Sequence, residues 1–426
     1  MNIILSSRRR HYAARVSIFL VTVALIAGTA GCNGAYIPPP PPSQNLEIRD
    51  WYDLDAIRNN LAGNHTLMND LDSATDGYEE LASPTANQGK GWDPIGTFIP
   101  MCAFGGLIGT FDGQGYEIRD LYINRPDEYL VGLFGCVYEE GVIKDIGVMN
   151  STLIGKSSVG GLVGRNMGTA SNSYAIGSVG ADFSVGGLVG YNQGPVNNCY
   201  ATGNVVAGGV VGNVSAVMGG FGVGGLVGVN EEATVSNCYF TGSVTSYVYC
   251  VDGLKFLVGV GSLVGVNYGT VNDSYSNANV TGEDGVGGLV GRNLDGTMSN
   301  SYFTGSVTGN SDVGGLMGSN IGGCGAVINS YSTSSVTGNE YVGGLVGHNY
   351  FGTGEGTVSN CFWDIQTSGQ STSAGGTGKN TTEMKSIATF SGAGWDIIAV
   401  AFDETNPTYT WNIVDKQTYP FLNWEL

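Results

Sequence analysis

Few residues in this chain have the type and spacing that chemistry requires. Of its 426 residues only three are histidines, at His11, His65 and His348. No Ser-His-Asp or Cys-His arrangement can be assembled around them. Asp112, in the tract Phe111-Asp112-Gly113-Gln114-Gly115, has the type of a catalytic acid, but the neighbouring glycines mark it as a turn residue. His348 occupies a position filled elsewhere by Arg165, Tyr191, Val229, Val266, Arg292 and Ser319, and such variety predicts an exposed site. Cys102, Cys136, Cys250 and Cys324 show no zinc-type spacing. Cys199, Cys238 and Cys361 share one recurring position with Ser173, Ser274, Ser301 and Ser330, the signature of a small buried side chain rather than a metal ligand. Cys199 and Cys238 would stack on adjacent coils, within disulfide distance but poorly aimed. The expectation is no catalytic residue, no cofactor and no metal site.

One cysteine stands apart. Arg8, Arg9, Arg10 and Arg15 precede an apolar run, Val16–Ala27, which is too short to span a bilayer and right for the core of a secretion signal. Thr29-Ala30-Gly31-Cys32 follows and resembles a prokaryotic lipobox, with threonine where leucine is usual. That reading makes Cys32 the lipid attachment residue and residues 1–31 the signal peptide. Ordinary cleavage near Ala30–Gly31 is the alternative. Pro38–Pro42 then supplies a stiff polyproline spacer of about 3 Å per residue, suited to lifting a domain off a membrane surface. Removing residues 1–31 takes away four arginines and no acids, so the net charge moves from −19 to −23. So acidic a chain offers nucleic acid no attractive field.

The rest of the chain is organised by repetition. GGLVG or a close variant begins at Gly160, Gly186, Gly224, Gly261, Gly287, Gly314 and Gly343, with weaker copies at Gly105 and Val131. Most steps are 26–29 residues, a period that marks a solenoid in which each unit buries its apolar face against its neighbours. The 71 glycines are therefore periodic, not low-complexity. One unit, VGGLVGVNEEATVSNCYFTGSVTS from Val223, predicts three short strands, GGLVG, TVSNCYF and SVT, separated by turn residues. Three columns follow from stacking. Leu162, Leu188, Leu226, Leu263, Leu289, Leu316 and Leu345 form a core column. Asn166, Asn192, Asn230, Asn267, Asn293, Asn320 and Asn349 form a corner column, able to adopt left-handed backbone and to hydrogen-bond along the stack. Tyr174, Tyr200, Tyr239, Tyr275, Tyr302, Tyr331 and Phe362 form an aromatic column. Strict alternation from Leu162 would turn Val163 and its equivalents outward, so either the glycines reset the phase or something covers that stripe.

The VGGLVGxN…SNSYxTGSV unit resembles the GLUG motif repeats of bacterial and archaeal secreted surface proteins. Trp92–Asn124 looks like the opening rung that precedes such repeats, and Cys361–Asp396 like the tail that closes them; the likeness runs from about Trp51 to the C-terminus. The resemblance implies a cell-surface β-solenoid and no catalytic residues. The expected architecture is all-β, a right-handed parallel β-solenoid (β-helix) with short helical or irregular caps. Its divisions are a signal at 1–31, a lipidated cysteine and spacer at 32–50, an N-terminal cap at 51–91, the solenoid at 92–365 and a C-terminal loop and cap at 366–426. Asp53 should cap a helix Leu54–Leu61, Asn380 a second helix reaching about Phe390, and the aromatic tail should plug the last rung. The function expected is a non-enzymatic, lipid-anchored protein of the cell envelope for adhesion or extracellular interaction, with the membrane as partner and a surface glycan or protein as ligand. The alternative is a carbohydrate-binding or polysaccharide-cleaving β-helix using the insertions 205–221 and 247–260, an idea resting on fold analogy.

Overall fold

A computed structural model describes residues 45–425, apart from 97, 100–102, 209, 212–220, 248, 251–257 and 351–355. The signal, Cys32, the proline spacer, Cys102 and most of the two insertions lie outside the described residues.

Strands stack in parallel, coil upon coil. One sheet has eleven strands, from Glu47–Ile48 through His65–Leu67 and Thr110–Asp112 to Thr357–Ser359. A second has eight, from Phe134–Val137 to Val346–Tyr350. A third carries the aromatic column and the Val-Gly strands that lead into each GGLVG tract. The molecule is a parallel β-solenoid, and its first two strands lie upstream of Trp92. In-register stacking is direct at the leucines. The Leu162 amide donates to the Leu188 carbonyl (3.0 Å), Leu188 to Leu226 (3.0 Å), Leu263 to Leu289 (2.9 Å) and Leu289 to Leu316 (2.8 Å).

The repeat divides differently from its expected three strands. GGLVG is a bend between two strands: in one coil Phe221–Gly224 ends, Gly225-Leu226 turns, and Val227–Asn230 begins. That bend settles the phase question. Leu226 and Val227, like Leu162 and Val163, are both fully buried in one core. The two legs of the bend lie so close that only glycine fits between them; a Cβ on Gly224 would sit 1.9 Å from the Val227 carbonyl oxygen. TVSNCYF also breaks, into Thr234–Ser236 and a strand from Tyr239. The break falls at Asn237, whose φ is +51°. The left-handed corner is therefore the column Asn172, Asn198, Asn237, Asp273, Asn300, Asn329 and Asn360, with φ between 47° and 54°. It is not the Asn166 column, whose members are absent from the positive-φ residues. The Asn166 column is buried instead, and its amides form a hydrogen-bonded ladder, 166 to 192 (2.8 Å), 192 to 230 (2.9 Å), 230 to 267 (2.8 Å), 267 to 293 (2.8 Å) and 293 to 320 (2.9 Å). Each amide from Asn192 to Asn320 has a partner above and below, which is what makes a buried polar column tolerable, and only the Asn166 oxygen at the start of the ladder is left unpaired.

Both ends depart from expectation. The first helix is Trp51–Ala56, capped by Asp50, whose carboxylate accepts from the Asp53 amide at 2.8 Å. Trp51 carries the apolar stripe one turn upstream of Leu54 and is buried against Trp92 (5.6 Å between rings). At the far end Asn380 does form a capping box with Glu383, but the helix stops at Met384 and a separate one spans Ile387–Ser391. The last coil is closed by residues 365–379: the Leu345 and Val346 amides donate to the Ser373 hydroxyl (3.3 and 2.9 Å), and Thr377–Lys379 adds a strand to Phe362–Asp364. The aromatic tail is not the plug. It runs back along the side of the aromatic column, with Trp395 beside Phe362 (6.1 Å), Trp411 beside Tyr331 (5.9 Å), and Trp424 beside Tyr275 (5.6 Å).

Candidate functional site

The aromatic column is the most regular feature of the outer surface. Each ring follows a left-handed residue and a small one, so every tyrosine leaves the backbone in the same direction. Ring centroids from Tyr174 to Tyr331 are separated by 4.7, 4.7, 5.3, 5.2 and 5.0 Å, with planes within 10° of parallel. The spacing is that of the rungs themselves. The docked tail covers the later rings: Tyr331 is 1% exposed and Tyr302 7%. Tyr302 donates to Glu425 at 2.6 Å. Burial pushes the Glu425 carboxyl up to about 7. Tyr174 and Tyr200 remain half-buried, without the tail over them.

Where the column begins, it borders a recess of about 550 Å³ lined by Asp112, Gln114, Lys144, Asp145, Gly147, Asn172 and Tyr174, among others. Two local departures from the repeat create it. Gly147 pairs in register with Tyr174 on one side and with Glu117 on the other, so the rung before Tyr174 has no ring. Asp112 and Glu117 align with Lys144 and Gly147, which makes the corner at Gly113–Gly115 two residues longer than its neighbour. Tyr174 leans across the missing ring and donates its hydroxyl to Glu117. That bond holds the Glu117 carboxyl below its usual range, while burial and the Glu117 charge push the Tyr174 phenol up. The Lys144 ammonium donates to Asp112 (2.5 Å) and Asp145 (3.4 Å), and Asn172 donates to Asp145 (2.9 Å).

Asp112 is thus both a turn residue, accepting from the Gln114 amide at 2.9 Å, and part of the recess. Sequence reasoning missed Lys144, Asp145 and Gly147. The available signal was glycine standing where the next rung has tyrosine.

A second polar cluster corrects the reading of the variable position. Arg292 is fully buried, not exposed. Its guanidinium reaches the Val258 carbonyl (2.5 Å), Asp312 (3.2 Å), the Ser319 hydroxyl (2.8 Å) and Asp284 (3.1 Å). Val229, Val266 and Ser319 at the same position are buried too. Variation here records different buried solutions. His348 is half-buried, 3.2 Å from Asp312 through Nδ1 and stacked on Tyr341 at 4.5 Å. Ser319, His348 and Asp312 are therefore neighbours, which spacing alone did not reveal. The serine hydroxyl has no exposed surface and is held by Arg292, an arrangement that knots adjacent rungs together. His65 is buried, its Nε2 2.9 Å from the Asn60 carbonyl, and burial lowers its pKa.

The cysteine column behaves as its serine alternates predict. Ser274 donates to the Asn272 carbonyl (2.8 Å) and Cys238 to the Ser236 carbonyl (3.0 Å), each reaching two residues back along its own chain. Cys199 and Cys238 are free thiols, the Cys199 amide facing the Cys238 sulfur at 3.4 Å. Burial raises the Cys361 thiol to about 12, far from a reactive thiolate. Among the described residues no group of three or more His, Cys, Asp or Glu is arranged to hold a metal ion.

These features define a parallel β-solenoid repeat protein with polar and aromatic ladders. The chain carries GLUG motif repeats, matched by the family's model at residues 181–206, 219–245, 282–308 and 338–362. It is similar to halomucin of Haloquadratum walsbyi, 29% identical over 160 residues, which are 36% of this chain and 2% of that protein. It is also similar to a protein of Evansella cellulosilytica named as a Gly-rich membrane protein, 36% identical over 124 residues, 28% of this chain and 13% of that one. The chain thus spans only a small part of either relative. Among solved structures it resembles a candidate immunoglobulin A1 protease from Bacteroides ovatus at 18% identity, covering 90% of this chain and 93% of that one with a TM-score of 0.40, a likeness that carries no argument about activity.

Proposed function

We propose that this chain is a non-enzymatic repeat scaffold of the cell envelope, tethered through a lipid on Cys32 and presenting its solenoid for adhesion or extracellular interaction. The observation that carries this reading is the use made of its polar side chains. The Asn166 column and the Arg292 cluster bond from rung to rung, and Ser/Cys side chains such as Ser274 accept an amide of the neighbouring rung while donating back along their own chain, which is the economy of a rigid stack. The signal-like start, the lipobox-like Thr29–Cys32 and the proline run supply the tether. The Evansella relative is named as a membrane protein, in keeping with an envelope location.

The test is Cys32→Ser in a bacterial host that processes lipoproteins. The account expects loss of radiolabelled palmitate and movement from the membrane fraction to the soluble secreted fraction. Unchanged membrane association, with or without label, contradicts the lipid tether.

A further inference from the structure

The recess at Gly147 is built from two exceptions to the repeat, and both work to the same end. In every later rung of the column each tyrosine face is covered by the ring before it. At Tyr174 the preceding position is Gly147, so the column ends there in a ring whose outer side borders a recess. At the opposite end Phe362 is covered by Phe390 and Trp395. Tyr174 cannot swing away freely, because Tyr200 backs it at 4.7 Å and Glu117 holds its hydroxyl. A Cβ on Gly147 would lie 2.4 Å from the Tyr174 ring, so any side chain there would displace the ring from this position.

The polar wall has its own chemistry. Lys144, Asp112, Asp145 and Asn172 bond to one another, so their orientations are fixed, and one ammonium against two carboxylates leaves the wall with a net negative charge. Such a wall presents several hydrogen-bond donors and acceptors at set positions, and its surplus carboxylate disfavours an anionic ligand. A partly exposed aromatic ring beside fixed polar groups suits a ring that is apolar on its faces and hydroxylated around its rim. The volume, about 550 Å³, falls inside the roughly 300–1,000 Å³ usual for small-ligand sites.

We propose that this recess is a saccharide-binding subsite, in which a pyranose of an uncharged polysaccharide lies against Tyr174 while its hydroxyls bond to the Asp112–Lys144–Asp145–Asn172 wall. The subsite lies on the opening rungs of the solenoid, away from the insertions 205–221 and 247–260. It goes beyond the scaffold reading, which names no ligand, and does not depend on Cys32.

The experiment is titration calorimetry of the full chain with three probes: hexasaccharides of β-1,4-glucose, β-1,4-N-acetylglucosamine and α-1,6-mannose. The expected result is binding of at least one probe with Kd of about 1 mM or tighter, since weak single-subsite contacts fall in this range. Gly147→Tyr, whose side chain displaces the Tyr174 ring from the recess, weakens that binding at least about tenfold in protein that still melts cooperatively. Lys144→Met does the same by removing a wall donor, and carries the test if Gly147→Tyr does not fold. No heat with any probe at saturating concentration overturns the proposal. So does binding that both variants leave unchanged. Either failure leaves the lipid tether untouched, because that is read from Cys32→Ser fractionation.

Discussion

Arg165 and Arg292 occupy the same position of the same repeat, and Tyr200 and Tyr331 do likewise, yet their surroundings are opposite. In the early rungs Arg165 is half-buried, bonded to Gln193 at 2.6 Å and lying over Tyr191. In the later rungs Arg292 has no exposed surface and is held by two carboxylates, a hydroxyl and a carbonyl. Tyr200 shows a half-buried edge, while Tyr331 lies under Trp395, Trp411 and Tyr419 and donates to the Pro420 carbonyl at 2.5 Å. The repeat fixes backbone direction and stacking partner. Burial is decided by what else lies against the rung, and that differs along one array.

The largest effect that sharpens this contrast is at the arginines. Arg292→Asp replaces a buried cation with an acid facing Asp284 and Asp312, and breaking a buried pair of this kind costs about 3–5 kcal/mol. Arg165→Asp at the half-buried site should cost under about 1 kcal/mol. Chemical denaturation of the two variants checks the difference. Equal losses would mean that the later rungs are no more closed than the early ones.

The tyrosines give a parallel test. Tyr331→Ala removes a fully buried ring from under the tail and should cost about 3–5 kcal/mol. Tyr200→Ala, at a ring that is only partly buried, should cost about 1–2 kcal/mol. If Tyr200→Ala proves the more damaging, the column is stabilised by its own stacking and not by the tail.

Smallest is the pH dependence of the tail's docking. Glu425 has its pKa raised from 4.5 to about 7, chiefly by burial. A raised folded-state pKa contributes stability that is complete below the unfolded value and is lost as pH rises through the folded one. Tail docking, read by tryptophan emission in mild denaturant, should therefore be firmer at pH 4.5 than at pH 8, and Glu425→Gln should flatten the profile. A wild-type profile that is flat between those limits contradicts the buried carboxylate.

Much of the fold was legible in the sequence because stacking is a one-dimensional problem. The leucine column and the Asn166 amide ladder follow from period alone, since any side chain at a fixed repeat position meets its own copies. Three things were not legible. Period cannot say whether Leu162 and Val163 share a face, because the bend at Gly161 resets the alternation. It cannot say which asparagine column turns left-handed, because both positions are rich in the same residue. Nor can it place the tail, whose partners Tyr302 and Glu425 are 123 residues apart. The variable position misled for the same reason: Arg292 looked free because its partners, Asp312 and Ser319, lie one rung on. The recess went unread because its signal is an absence, Gly147 in a column of rings.

The central claim is that one continuous tyrosine column is open in its early rungs and covered by the chain's own tail in its later ones. Hydroxyl-radical footprinting of the native protein, read residue by residue by mass spectrometry, tests it most directly. The account predicts rapid labelling of the exposed Tyr129 and Tyr341, intermediate labelling of Tyr174 and Tyr200, and strong protection of Tyr302, Tyr331, Trp395 and Trp411. Labelling of Tyr331 and Trp411 as fast as Tyr200 would contradict it.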